Sequence, residues 1–287
     1  MRVAVVTDST CDLPVGITEA MGVRVVPLSV AFGGRDLYSR VTVTDEEFYA
    51  ELATSDELPT TSQPVGPWFD EAWADAADDG FDAIVSLHVS DALSGTVDRA
   101  RTLASSAAIP VHVVDSRQVS GGLALQVLAA VRVAEDGGTP AQVVAAADAA
   151  RRTTTSVIAV DTLEYLRRGG RLSGTQAMVG TALRMRPVLG VQGGRIELID
   201  RARTWSKAVE RLVDRVAEQA TAEPQHAVIA HALAPARAQE LLEAVSARVE
   251  VAQSLQVVIG PVVGTHTGPG AVGVALAPAR LTCRPPV

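Results

Sequence analysis

The feature that most constrains this chain is an alternation. Short, largely β-branched apolar runs take turns with longer stretches whose apolar residues recur at helical spacing. "RVAVVT" (2–7), "VRVVPLSV" (23–30), "AIVSLHV" (83–89) and "VHVVD" (111–115) read as strands with amphipathic segments between them. That order predicts a largely parallel sheet with helices on both faces. Thr44 followed by Glu47 is a capping box opening one helix, and "QPVGPWFDEAWADAA" (63–77) opens another after a proline turn. Two alanine-rich helices near 120–136 and 140–152 lead to a second series of strands: "SVIAVD" (156–161), "PVLGVQGGRIELI" (187–199), "HAVIAHA" (226–232) and the two runs that flank "GTHTGPG". The "QGG" reads as a hairpin turn, so the second sheet is expected to be mixed. With 287 residues there is room for two α/β domains, placed at 1–152 and 153–287.

Composition narrows the function classes. A hydrophobic share of 47% with 20% charged residues is that of a soluble globular chain. No run of about 18 uncharged apolar residues occurs and the chain enters a strand at once, which points to the cytoplasm. The net charge of −8 argues against nucleic acid and against more than transient membrane contact. Cys11 and Cys283 form neither a disulfide framework nor a zinc spacing, so no metal is expected. Lys207 is the only lysine, which confines lysine chemistry to that position.

Four loops concentrate hydroxyls and glycine at strand ends or helix starts. "TDSTCDLP" (7–14) follows the first strand, where free backbone amides favour an anion, though capping by Ser9, Thr10 or Asp12 explains it equally. Cys11 there is either a thiol of lowered pKa or a small buried residue. "PTTSQP" (59–64) holds Thr60, Thr61 and Ser62 between two prolines, and capping accounts for only one of the three. "SDALSGT" (90–96) places Ser94 and Thr96 around Gly95, as a cap or as ligand contacts. "GTHTGPG" (264–270) puts His266 between Thr265 and Thr267 in what reads as a turn between buried strands, with no carboxylate or cysteine nearby. It is either a turn histidine bonded to a carbonyl or a ligand group. Hydroxyls and an imidazole together bind a carboxylate or phosphate without a fixed cation. In "LEYLRRGGRLSG" (163–174) a short helix stops at Gly169 and Gly170. Its arginines, with Arg171, form either a solvated face or an approach for an anion or partner, and Arg203 in "RART" has the same two readings. His88, His112, His226 and His231 lie in or beside strands and read as structural.

Taken together, "TDSTCDLP", "PTTSQP", "LSGT", "VVDS", "LEYLRRGGRLSG", "PVL…GG", "RART" and "GTHTGPGAVGV" resemble, in order and approximate spacing, the DegV family of bacterial fatty-acid-binding proteins. The resemblance runs from Val5 to about Leu276. It implies a two-domain α/β fold with a long-chain fatty acid buried between or within the domains. It also implies a non-enzymatic carrier without cofactor, which presents the acid to an ATP-dependent fatty acid kinase for acyl phosphate formation. On that resemblance Thr61, Ser62, Ser94 and His266 match the head-group positions. Ser9, Gly95, Thr96, Thr265 and Thr267 are possible neighbours, and Arg171 and Arg203 stand nearer the opening. Asp91 departs from the pattern, since members often carry serine there, and a carboxylate beside an anion is unfavourable.

Two other functions compete. A serine esterase or phosphatase would use Ser94 or Ser62 with His266, but no "GxSxG" elbow strains either serine into place. A sugar- or polyol-binding regulator would use the same hydroxyl-rich loops for a neutral ligand.

Overall fold

The computed structural model describes residues 1–55, 57–173 and 185–285; Gly174, the last residue of the "RLSG" motif, lies outside them. The first half runs β1 (Val3–Asp8), α1 (Val15–Ala20), β2 (Arg24–Val26), β3 (Ser29–Phe32), β4 (Arg35–Tyr38), α2 (Asp45–Thr54), β5 (Thr60–Ser62), α3 (Gly66–Asp78), β6 (Ala83–His88), α4 (Thr96–Ala104) and β7 (Val111–Asp115). After α5 (Gly121–Glu135) and α6 (Pro140–Thr153) come β8 (Thr155–Ala159), α7 (Glu164–Arg168), β9 (Arg186–Gln192), β10 (Arg195–Ala202), α8 (Trp205–Gln219), β11 (Gln225–His231), α9 (Pro235–Ser246), β12 (Val251–Val258), α10 (Pro261–Thr267) and β13 (Val272–Pro278).

β1, β2, β6 and β7 form a parallel sheet in the order β2-β1-β6-β7. β1 and β6 are buried at every position, as central parallel strands covered on both faces must be. The six-stranded sheet, β10-β9-β8-β13-β11-β12, is mixed: β11 and β12 are parallel and the other pairs antiparallel. The "QGG" segment makes the expected hairpin between β9 and β10, with Gly193 and Gly194 both at positive φ, 56° and 86°.

One expected strand is in fact two. The run 23–30 breaks at Pro27, which has no amide to give a ladder. β2 stays in the parallel sheet, while β3 starts a separate antiparallel sheet, β4-β3-β5. All three hydroxyls of "PTTSQP" therefore lie on an edge strand, β5, and not in a loop. The Thr44 box forms as read: its hydroxyl accepts the Glu47 amide at 3.2 Å and its amide donates to the Glu47 carboxylate at 2.9 Å.

α5 joins the two halves. From Gly121 to Val131 every residue is buried, because "GGLALQVLAAV" is apolar on all sides and packs between layers. It contacts β1 of the parallel sheet and β11 and β13 of the mixed one. Leu123, Leu125 and Leu128 are fully buried, each stabilising the fold by roughly 2 kcal/mol. A charge at Leu125 would break this junction. Among the described residues no helix is long and apolar enough to cross a membrane.

Candidate functional site

The loops leaving the carboxyl ends of β1, β6 and β7 face the inner surface of the mixed sheet, and between them lies a cavity lined mostly by apolar side chains. Crevices outside the carboxyl ends of parallel strands are where α/β folds hold ligands. The mixed sheet supplies Ile158, Leu189, Val228, Ala230 and Ala275; the loops supply Thr10, Leu93, Val119 and Ser120. Gly121 and Gly122 let the first turn of α5 close onto the sheet. A Cβ on Gly121 would meet Val228 at 3.0 Å and one on Gly122 would meet Ser156 at 2.6 Å. Ser156, turned toward the cavity, donates to Gln118 Oε1 at 2.8 Å, so this polar pair is satisfied.

The other end is polar. Thr61, Ser62, Ser94, Arg171, His266 and Thr267 all line it. Thr61 Oγ1 and His266 Nε2 are 2.9 Å apart, joining β5 to α10 across 205 residues of sequence. His266 Nδ1 is buried without a hydrogen-bond partner. Burial, and secondarily the Arg171 charge, push the imidazole down to about 4, so it is neutral at pH 7. Arg171 is held by two carbonyls, donating to Leu93 O at 3.2 Å and Gly169 O at 2.7 Å, and makes no ion pair among the described residues. A fixed cation beside a neutral imidazole and several hydroxyls suits an anionic oxygen.

His266 does not sit in a turn. The stretch 261–267 is the short helix α10, started by Pro261 at its first position, and only Gly268–Gly270 turn into β13. Gly264, read as a turn glycine, is instead a packing glycine: a Cβ there would meet the Tyr49 hydroxyl at 2.5 Å. Gly169 in turn makes room for the imidazole, since a Cβ on it would overlap His266 Nδ1. Gly268 does the same for the ring of Tyr165. α7 and α10 thus exchange glycines for rings.

The other candidates divide. Ser94 Oγ pairs with Thr96 Oγ1 at 2.8 Å; Thr96 is buried at the start of α4, outside the cavity wall. Gly95 lies against Gln63, which follows β5, so the second and third hydroxyl loops meet. Thr267 lines the cavity, whereas buried Thr265 donates to Pro261 O at 2.9 Å and does not. Ser9 is buried and accepts the Leu28 amide at 3.1 Å, leaving its neighbour Thr10 to face the cavity. Arg203 is exposed in the turn between β10 and α8, away from the cavity wall. Arg167 and Arg168 are exposed and both pair with Glu164, so of the three arginines only Arg171 turns inward. Asp91 is exposed and off the cavity wall.

The anion reading of "TDSTCDLP" fails for a simple reason: two buried carboxylates occupy the turn. Asp8 caps it, accepting from the Thr10 amide at 3.0 Å and hydroxyl at 2.6 Å, and Asp12 closes it. Cys11 is buried, and burial pushes its thiol up to about 11. Asp8, His88 and Ser86 form a carboxylate–imidazole–hydroxyl line, with contacts of 3.1 and 2.8 Å. All three are fully buried, so no substrate reaches Ser86.

Ser120 and Ser156 went unnoticed in the sequence, where Thr10 was read only as a cap; the one signal near Ser120 was the glycine pair in "SGGLALQ".

Comparison with known proteins agrees with this architecture. A family model described as "Uncharacterised protein, DegV family" matches residues 2–279. A DegV domain-containing protein of Streptomyces coelicolor is 41% identical over 276 residues, covering 96% of this chain and 98% of the relative. Among solved structures, a DegV family protein from Thermus thermophilus described for fatty acid binding is 34% identical, with a TM-score of 0.87 over 97% of this chain and all of that one. DegV of Bacillus subtilis, described as a fatty acid binding protein, is 31% identical, with a TM-score of 0.86 over 96% of this chain and 99% of that one.

Proposed function

This chain belongs to the DegV family, and from that premise we propose that it binds a long-chain fatty acid with its carboxylate among Thr61, Ser62, Ser94 and His266. The observation that carries the reading is a single apolar cavity ending on a neutral imidazole, a Thr61 hydroxyl and the Arg171 charge. Fatty acid binding by similar structures from Thermus thermophilus and Bacillus subtilis supports it. Burying about 16 carbons at ~0.8 kcal/mol per CH₂ yields roughly 12 kcal/mol before entropy costs. Hydrogen bonds to the carboxylate add about 1.5–3 kcal/mol each, so the chain supplies affinity and the polar end supplies orientation.

Orientation matters because we take the protein to be a cytoplasmic, non-enzymatic carrier, with residues 1–152 and 153–287 as its two domains. It presents the acid to an ATP-dependent kinase. A carboxylate oxygen attacks the γ-phosphorus of ATP as the bond to ADP breaks, giving an acyl phosphate. Hydrolysis fits the geometry less well: His266 has no carboxylate behind it, and Ser94 is paired with Thr96.

Mass spectrometry of lipid extracted from purified protein tests the binding claim. One fatty acid per chain is the expected result. A protein that carries none and rejects palmitate in titration would overturn it.

A further inference from the structure

The head-group reading leaves unused the acidic turn after β1. Asp12 is buried, adopts left-handed backbone (φ 55°), and its Oδ1 accepts the Gly260 amide at 3.0 Å across 248 residues of sequence. Gly260 is the residue before α10, and His266 is six positions on in a helix of seven residues. To fix the first amide of so short a helix is to fix the imidazole. One residue earlier, Ile259 O accepts the Tyr49 hydroxyl at 2.9 Å, and the same ring packs on Gly264. The entry to α10 is thus gripped by a carboxylate from the turn after β1 and by a phenol from α2.

We propose that Asp12 is a positioning residue for the head-group site: without touching the ligand, it sets the place of His266 by holding the Gly260 amide. The proposal rests on the fatty-acid reading for its functional meaning. The strength of the grip depends on charge, because a carboxylate accepts an amide about twice as strongly as a neutral acid does.

The groups around Asp12 bear on that charge. Burial pushes its carboxyl up to about 7. The Ser120 hydroxyl, which falls short of a good hydrogen bond, the Gly260 amide and the Arg40 charge pull it down, while Asp45 pushes it up. Arg40 itself is tied to Leu13 O at 2.5 Å. Asp45, at the start of α2, shares the space beside Gly260; a Cβ on that glycine would stand 3.2 Å from Asp12 Oδ1 and 3.5 Å from Asp45 Oδ1. Cys11, Asp8 and Tyr49 complete the ionisable surroundings. Ser120 also lines the cavity, so the cluster borders the ligand space.

The test is NMR of the histidine rings across pH 5.5–8.5 (roughly one and a half units either side of 7) in the full chain, with palmitate titrated in parallel. Wild type should show an inflection near pH 7 in the His266 ring signals, although the ring itself does not titrate there. The His226 ring, bonded to Thr282, serves as control. Asp12→Asn, which keeps an oxygen for the Gly260 amide, should lose that inflection and retain palmitate affinity within about threefold. Asp12→Ala should shift or broaden the His266 signals and weaken palmitate about tenfold. Unchanged His266 signals and affinity in folded Asp12→Ala overturn the proposal. If that variant does not fold, an inflection that persists in Asp12→Asn overturns it instead. A wild type that takes up no palmitate overturns the fatty-acid reading alone, and the ring signals still decide the role of Asp12.

Discussion

Two of the imidazole–hydroxyl pairs among the described residues, His88 with Ser86 and His266 with Thr61, have come to different ends. In the parallel sheet His88 stands between Ser86 and Asp8, fully buried. Burial works to raise the Asp8 carboxyl, but the bond and charge of His88 and the bonds from Thr10 and Val89 hold it below the ordinary aspartate range. At the cavity His266 has Thr61 on one nitrogen and, among the described residues, no hydrogen-bond partner on the other. The first has the residue types of a catalytic triad and is part of the core; the second lacks the acid and faces the ligand space. What stands behind the ring, and whether anything can reach the hydroxyl, separates a structural histidine from a site histidine.

Removing the acid from the first pair should have the largest effect. Asp8→Ala leaves His88 and the Thr10 and Val89 amides without their partner, and urea unfolding should show a loss of about 3–5 kcal/mol. The corresponding cut at the cavity, His266→Ala, should cost about 1 kcal/mol or less while acyl phosphate formation with a supplied kinase falls at least tenfold. Equal stability losses in the two variants would erase the distinction.

Acid separates the pairs by pH window. His266 is pushed down to about 4 in the folded chain, from an ordinary value near ~6.5. The unfolded chain therefore takes up the proton first, and stability is lost as pH falls from ~6.5 to about 4, by roughly 2–3 kcal/mol for this ring. His226, also pushed down to about 4 by burial, shares the window. Wild type and His266→Gln compared by urea unfolding at several pH values isolate the His266 share. Asp8 acts lower: its depressed carboxyl stabilises the fold above the unfolded aspartate value of ~3.9, and that share is lost as pH falls through the folded value.

Gly169→Ala probes the second pair without altering it chemically. The added methyl meets the imidazole, and displacing it should cost about 1–2 kcal/mol of stability and weaken palmitate about tenfold in a fluorescence displacement titration. Unchanged palmitate binding would mean that the position of the ring is immaterial to the ligand. The smallest effect is expected from Thr61→Val, which removes one neutral hydrogen bond and should weaken palmitate two- to fivefold, about 0.5–1 kcal/mol.

Much of this was legible from residue pattern. Val3–Asp8 and Ala83–His88 announce central parallel strands because each holds an apolar run too continuous for a one-sided strand, and the Thr44 box and the Gly193–Gly194 hairpin rest on local chemistry alone. The failures came where distant contacts set local structure. Gly264 looks like a turn glycine beside a threonine, yet it lies in α10 and admits the ring of Tyr49; Gly268 does turn, and also admits the ring of Tyr165. Pro27 was visible, but whether it kinks a strand or sends the chain into another sheet depends on what β3 pairs with. Ser9 and Thr10 are adjacent hydroxyls, and only the 3-10 turn held by Asp8 decides which one meets the cavity. The Thr61–His266 bond spans 205 residues, a separation no spacing rule encodes.

The glycine-for-ring exchange between α7 and α10 has a consequence for heredity. Gly169 admits the ring of His266 and Gly268 admits the ring of Tyr165, so each segment carries the other's vacancy. At either glycine, every codon one nucleotide away that still encodes another amino acid adds at least a methyl group, and at Gly268 (φ 72°) also a backbone penalty. A single mutation can therefore only close one of the two notches. A lineage that keeps both rings must keep both glycines.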